Sequence, residues 1–454
     1  MIKHLIKRII VIGGNAAGAA AAAKAKRVNP NAEVLLIEKG KFISTGTCEL
    51  PYTLTGEVKQ VESLIFFDEK SFETEKGVKV LTSTEVTGIC TRRKEVKLKQ
   101  SENENKLPLN YDTLVIATGS KVRELTELQG EFQNLFTLKT VSDAYKLKDW
   151  LLVSREKTVV IFGSGYTGLE VAESFSKLGF RTILIEKMNI PFPGAEPEVS
   201  AVISEVLKEL GIEFYSSNYS QLKVYTENNL ITKFKIDGRL VDTSLVINAT
   251  GFIPLIPAEI AKKFELTNQG VFKVCKKMQT SIPGIYAAGD CAGYKNFQTG
   301  SIDFFPLATL AQRSGHIAGE NAAGGNAYIE PFVKNISLRF FEHFVTQTGL
   351  TLLQAKNYFP GAVSVFSGGL NLVKVMPGSR NIFGKLVFDK NSKMVLGASF
   401  IGSSEVSGYA DLISMAIRNK LRITDLKAID FNYTPSLSPF INLISLLIRK
   451  AESI

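Results

Sequence analysis

Apolar and polar residues fall in blocks along this chain rather than alternating one by one. Residues 8–12 (Arg-Ile-Ile-Val-Ile) are a short branched apolar run, the pattern of a strand buried on both faces. Glycine-rich punctuation follows at 13–18 and opens an alanine-rich helix, and a second buried strand is predicted at 34–37. The same order returns later: a strand at 158–162, glycines at 163–168, a helix to Leu178 and a strand at 182–185. Two strand-turns, at 111–119 and 245–251, share the ending Ala-Thr-Gly. Residues 280–290 form another, and Pro306-Leu-Ala-Thr309 lead a helix running to Ala323.

Between these repeats the pattern predicts a helix near 68–75, strands at 78–81, 85–91 and 95–99, and a polar hairpin loop at 100–106. From about residue 330 the character changes to strands at 363–366, 384–388 and 394–398 and two helices, near 405–419 and 440–450. The first helix carries Val406, Tyr409, Leu412, Ile413, Ala416 and Ile417 at helical spacing, a core or subunit-interface face. The second holds Phe440, Ile441, Leu443, Ile444, Leu446, Leu447 and Ile448, more apolar than a surface helix needs. Subunit contact is the first reading of that excess and membrane-surface attachment the second.

Strand-turn-helix units of this kind imply an α/β fold with two Rossmann-like dinucleotide-binding domains, the second inserted in the first, and a C-terminal α+β domain. The expected boundaries are 1–118 and 281–328 for the first domain, 119–150 for a connection, 151–280 for the inserted domain and 329–454 for the last. Lys3, Lys7 and Arg8 ahead of the apolar run at 9–23 superficially resemble a signal peptide, but the glycines fit the strand-turn-helix. No apolar stretch reaches transmembrane length, so a soluble, cytoplasmic protein is expected.

Composition narrows the chemistry. The chain has 454 residues, 45% hydrophobic and 22% charged, which is globular material enough for two or three domains. Its formal charge of +10 is scattered, without aromatic-flanked basic clusters, so anionic small molecules fit better than nucleic acid. Four cysteines (Cys48, Cys90, Cys275, Cys291) without CxxC spacing and three histidines argue against a metal site or a disulfide framework.

In the stretch 13–18 (Gly-Gly-Asn-Ala-Ala-Gly), Gly13 permits a tight turn, while Gly18 and the alanines let the helix pack close. The helix N-terminus then faces a pyrophosphate. Glu38 ends the next strand, where a carboxylate takes ribose hydroxyls; Glu186 repeats this after Gly163-Ser-Gly-Tyr-Thr-Gly168 and points to NADH over NADPH. Two dinucleotide sites face to face suit electron relay between a bound flavin and a diffusible nicotinamide. Asp290 stands where an acidic group holds a flavin's ribityl chain, a role compatible with capping a helix. Cys48 lies just beyond the first unit, with Pro51 suited to a first helical turn, so its thiolate is expected at the positive end of that helix.

With these residues the chain resembles the flavin-dependent pyridine nucleotide-disulfide oxidoreductases. Within them it is similar to the single-cysteine branch of coenzyme A-disulfide reductases, persulfide reductases, NADH oxidases and NADH peroxidases. The resemblance rests on 13–18, Glu38-Lys39, Ser44-x-x-x-Cys48-x-Leu-Pro-Tyr52, Ala117-Thr-Gly119, 163–168, Gly289-Asp290, 306–309 and 317–321. It implies an FAD site at Gly13, Gly14, Ala17, Gly18, Glu38, Lys39, Ala117, Thr118, Gly119, Asp290 and Ala308. It implies an NAD(P)H site at Gly163, Gly165, Tyr166, Gly168, Glu186 and Gly251, and a C-terminal domain that forms a homodimer and helps close the active site. Ile43 and Thr53 occupy positions where a two-cysteine reductase would have its second sulfur, leaving Cys48 to pair with a substrate sulfur or cycle through a sulfenic acid.

Departures narrow the branch. Ala16 stands where oxidase and peroxidase relatives carry a histidine, which favours sulfur substrates. Arg27, Ser44 and Lys76 match positions that contact coenzyme A, but Thr47 stands where those relatives often have Asn. The C-terminal segments that supply tyrosines read 373–378 (Val-Lys-Val-Met-Pro-Gly) and 433–437 (Tyr-Thr-Pro-Ser-Leu), with Leu437 replacing one of them. Glu49, beside the thiol, is expected to point to solvent. The expected activity is NAD(P)H-dependent reduction of a disulfide, persulfide or polysulfide through Cys48, with a sulfur-containing, possibly coenzyme A-linked partner. Oxygen reduction by an NADH oxidase and NADH-to-quinone transfer at a membrane surface stand as alternatives.

Overall fold

The computed structural model describes residues 7–100 and 107–454. The hairpin loop expected at 100–106 lies, apart from its first residue, outside them. The first sheet is wholly parallel, in the order Ile285–Ala287, Thr113–Ile116, Arg8–Ile12, Glu33–Ile37, Lys79–Leu81. Its side chains explain the unbroken apolar runs: Ile9, Ile10, Val11, Leu36, Leu114, Val115 and Ile116 are all fully buried. Helices Ala16–Val28 and Ala308–Ala322 pack so closely that a Cβ on Gly315 or Gly319 would collide with the Ala17 or Ala21 carbonyl.

A second parallel sheet runs Leu135–Phe136, Leu245–Asn248, Thr158–Phe162, Arg181–Glu186, Glu213–Ser216. The chain leaves the first sheet after Thr113–Ile116 and rejoins it at Ile285–Ala287, so one parallel-sheet unit interrupts the other. A short antiparallel ribbon joins them, Ser120–Val122 against Phe252–Pro254, directly following the two Ala-Thr-Gly turns. An antiparallel meander, spanning Lys223–Glu227 to Arg239–Asp242, covers one face of the second sheet through Phe162 and Phe234, whose ring centres are 5.2 Å apart.

The C-terminal unit is a five-stranded antiparallel sheet, in the order Asn335–Phe340, His343–Gly349, Val395–Gly402, Asn381–Asp389, Ala362–Leu370. Three of these strands were expected but are longer than their apolar runs. The hairpin 335–349 was not expected, because Arg339, His343 and Gln347 break its hydrophobic pattern. Helix Leu443–Glu452 begins three residues later than expected, with Asn442 capping Ile444 N at 2.9 Å. Its Leu443, Ile444, Leu447 and Ile448 are buried within this unit, while Leu437 and Phe440 remain 73% and 80% exposed. The apolar excess that suggested membrane attachment is therefore largely internal core. Among the described residues no helix is long and apolar enough to cross a membrane, and no His, Cys, Asp and Glu cluster could hold a metal ion.

Candidate active site

Both fingerprints place a glycine at the end of a buried strand with positive φ, +99° at Gly13 and +92° at Gly163. There a Cβ would strike the facing Ala117 or Ala249 carbonyl, so only glycine fits the turn. A Cβ on Gly18 or Gly168 would collide with the Gly13 or Gly163 carbonyl, which is why each helix starts hard against its strand. The carboxylate ending each second strand is gripped by backbone amides. Glu38 accepts from Gly14 N and Gly40 N, both at 2.6 Å, and Glu186 from Ser164 N at 2.9 Å and Lys187 N at 2.8 Å. Lys39, by contrast, forms a surface ion pair with Glu85 at 2.8 Å.

The first turn also carries the loop that leads to Cys48. Ser44 N donates to Gly14 O at 2.8 Å, and Thr45 N donates to the Asn15 side chain at 3.0 Å. Beyond Cys48 comes a single 3-10 turn, Pro51–Thr53, where a helix was expected. So short a turn carries little dipole, which overturns the expected thiolate stabilisation. Cys48 is exposed at its surface, yet protein crowds its other sides, and that desolvation is the main cause pushing its thiol pKa up. Glu49 and Glu170 raise it further; Lys139 opposes them, and Asp290 adds a smaller push upward. Glu49 is exposed, as expected, but its charge is felt at the sulfur.

Asp290 lies within a 3-10 turn, Gly289–Cys291, and caps no long helix. It accepts from Ser120 Oγ at 2.6 Å and lies 3.6 Å from Lys139 Nζ, which in turn sits 4.0 Å from the Phe252 ring centre. Lys139 was not found from the sequence, because it lies in the connection and nothing in its neighbourhood marks it. Thr118 carries a buried hydroxyl without a hydrogen-bond partner, while a Cβ at Gly119, Gly165 or Gly251 would meet open space. Ala308 begins the helix that packs on the first fingerprint helix, and Tyr166 begins the second one, its ring edge-on to Phe192 at 4.8 Å.

Helix Tyr166–Lys177 reaches across to the Cys48 segment: Ser174 Oγ donates to Pro51 O at 3.1 Å. One turn earlier on this helix is Glu170, whose carboxyl is pushed up to about 7 by burial and then by Glu173, against the opposing pull of Arg339 and of Tyr52, whose hydroxyl it faces. The sequence signal for Glu170 is weak, because helix Tyr166–Lys177 also carries Thr167, Glu173, Ser174, Ser176 and Lys177. Ser44 lies on strand Ile43–Thr45, paired with Ile65–Phe67, and Lys76 Nζ sits 4.7 Å from the Phe67 ring centre. Arg27 ends a neighbouring helix, where it and Lys24 lower the His316 pKa after burial has done so.

Residues 7–315 match the family model described as pyridine nucleotide-disulphide oxidoreductase, and residues 337–443 match its dimerisation domain. The chain belongs to the pyridine nucleotide-disulfide oxidoreductases. It is 30% identical over 434 residues, 95% of each chain, to an NADH oxidase of Methanocaldococcus jannaschii. It is 27% identical over 444 residues, 97% of each, to an NAD(P)H coenzyme A polysulfide/persulfide reductase of Pyrococcus horikoshii. Its fold superposes on an NAD-dependent persulfide reductase from A. fulgidus with TM-score 0.91 and 29% identity, covering 98% of this chain and 83% of that one.

This oxidoreductase uses FAD and NAD(P)H. Its residues fit a flavin dinucleotide: a glycine turn closed to any side chain, an unpartnered buried Thr118 hydroxyl, and an Asp290–Lys139 pair whose charges are felt at Cys48.

Proposed function

We propose that this enzyme reduces a disulfide, persulfide or polysulfide with NADH, using Cys48 as its one redox-active thiol. The observation that supports this is the position of Cys48. It is tied through Ser44 and Thr45 to the first dinucleotide turn and through Pro51 to the helix of the second, with Asp290 and Lys139 close enough to shift its thiol. FAD supplies the two-electron link between nicotinamide and thiol when bound. The Cys48 thiolate attacks the substrate S–S bond and forms a mixed disulfide or persulfide, which two electrons from NADH return to the thiol. Ile43 and Thr53 provide no second sulfur, and Cys291, fully buried, donates weakly to Ile116 O and Ala288 O.

Arg27 and Lys24, whose charges are felt at His316, and Lys76, beside Phe67 of the strand paired with the Ser44 strand, are the cations that would hold the phosphates of a coenzyme A-linked substrate, Lys24 being shared with Glu320 at 2.9 Å and Lys76 with Glu75 at 3.5 Å. The dimerisation domain supports a homodimer. Oxygen reduction is the second reading, favoured by the M. jannaschii relative. Reduced enzyme challenged anaerobically with coenzyme A disulfide, coenzyme A persulfide and polysulfide, and separately with oxygen, decides between them. Rapid reoxidation by oxygen alone would overturn the sulfur reading.

A further inference from the structure

The loop that carries Cys48 is capped by two exposed side chains. A Cβ on Gly46, itself buried, would stand 2.7 Å from Glu49 Oε2 and 2.9 Å from Phe66 Cζ, so the carboxylate and the ring edge close over the backbone two residues before the thiol. Backbone bonds fix both carriers. Gly46 N donates to Leu64 O at 2.8 Å and Thr45 pairs with Ile65, which sets the strand bearing Phe66 against the loop, while Glu49 O accepts from Tyr52 N at 3.1 Å where the 3-10 turn begins. Phe66 is 58% exposed, and Cys48 and Glu49 are exposed as well. An aromatic edge is partially positive, which favours a carboxylate lying against it. The cations of these surroundings are engaged elsewhere, Lys139 with Asp290 and both Lys177 and Arg339 with Glu57, so the Glu49 charge is uncompensated among the described residues.

We propose that Glu49, steadied by Phe66, sets acceptor specificity at Cys48 by disfavouring negative charge beside the reacting S–S bond. This rests on the sulfur-reductase reading and names the substrate class within it: a disulfide uncharged near its sulfurs, rather than a polysulfide dianion or a deprotonated persulfide. In the attack the Cys48 thiolate bonds to one substrate sulfur, and the electron pair of the breaking S–S bond leaves with the other sulfur as a thiolate. That developing charge is common to every acceptor, so Glu49 opposes it equally for all of them. A negative charge already present beside the bond adds a repulsion that an uncharged acceptor does not meet, and a positive one adds an attraction. Glu49 also raises the thiol pKa, after burial, but this changes the thiolate offered to every acceptor alike and does not tell them apart.

The test uses the FAD-loaded enzyme, NADH and three symmetric dialkyl disulfides of similar length: bis(2-hydroxyethyl) disulfide, cystamine and dithiodiglycolate, which are neutral, cationic and anionic. In Glu49→Gln the kcat/KM of the anionic disulfide should rise about fivefold relative to the neutral one, and that of the cationic one should fall by a similar factor, the upper end for one solvent-exposed charge. This difference from the wild-type enzyme should shrink as ionic strength is raised from about 0.01 M to about 0.15 M, where the Debye length drops from about 30 to about 8 Å. An effect of shape or packing would not respond to salt. Phe66→Ala frees the carboxylate to swing into water, so it should move both ratios part of the way toward those of E49Q. A change of equal size with all three disulfides, or one that salt leaves untouched, would overturn the proposal and leave Glu49 acting on Cys48 ionisation alone. Cys48→Ser tests the reading beneath it: loss of turnover with all three disulfides upholds that reading, and persistent turnover refutes it and the proposal with it.

Discussion

Arg339 lies with its guanidinium carbon 5.0 Å from the ring centre of Tyr52, so the first strand of the C-terminal sheet covers a residue four places beyond Cys48. The same side chain pairs with Glu57 of the first unit, while Lys177 of the inserted unit pairs with that carboxylate from the other side. The surroundings of the thiol are therefore set by three parts of the chain that share one buried core. Replacing Arg339 with Ala removes a cation–π contact and one ion pair, both partly solvent-screened, so stability should fall by no more than about 2 kcal/mol. Arg339 also holds the Glu170 carboxyl down, so its loss should move any activity limb governed by that group to higher pH. Denaturant unfolding and a pH–rate profile measure the two effects.

Cys48→Ser should separate two half-reactions. Its nucleotide turns are untouched, so NADH-dependent reduction of artificial dyes should survive. A hydroxyl neither attacks sulfur nor accepts electrons at useful rates, so disulfide or persulfide turnover should fall at least about a thousandfold, roughly 4 kcal/mol of transition-state stabilisation. Near wild-type sulfur reduction would show that Cys48 is structural.

The thiol itself should titrate high. Burial, Glu49 and Glu170 all disfavour its charged form, so at neutral pH alkylation by iodoacetamide should be slower than for an unhindered free cysteine. Removing a negative neighbour favours the thiolate, so Glu49→Gln should shift the pH–alkylation curve downward. An unchanged curve would mean that solvent screens Glu49 completely.

Glu186 is held at the strand end by Ser164 N and Lys187 N, where its charge repels a 2′-phosphate. NADH should be preferred by kcat/KM, and Glu186→Ala should narrow that preference. A wild-type ratio favouring NADPH would refute this.

Lys385, only 5% exposed, pairs with Glu196 at 3.0 Å and Glu198 at 2.8 Å, pinning the start of helix Pro197–Glu209 to the C-terminal sheet. Lys385→Ala leaves Glu196, itself 3% exposed, without its counter-charge, at a cost of about 3–5 kcal/mol. Glu196 keeps its bond from Leu352 N at 2.5 Å, which places the expected loss at the lower end. Thermal unfolding followed by calorimetry measures it.

Strands and turns of the two nucleotide units could be read in the sequence because each has a local steric cause. A parallel strand covered on both faces must be apolar throughout, as at 9–12, and Gly13 must be glycine because a carbonyl occupies the space of its Cβ. The hairpin 335–349 could not be read, since its strands carry the polar Arg339, which reaches Glu57 and Tyr52 far away in the chain, and His343. Nor could Lys139 be found: its partner Asp290 reaches it only through the ribbon that brings the two Ala-Thr-Gly turns together.

By itself the sequence determined the α/β architecture, both dinucleotide turns, the gripped carboxylates Glu38 and Glu186, and the single thiol beside the first turn. Tertiary structure alone decided the electrostatics of that thiol. Pro51 announces a helix start, but the turn it begins is three residues long, and charges from Glu170, Lys139 and Asp290 reach Cys48 across the fold. Backbone sterics act over a few bonds and leave local signatures. Coulomb interactions and desolvation depend on distances between segments far apart in the chain, and those distances exist only once the sheets have packed.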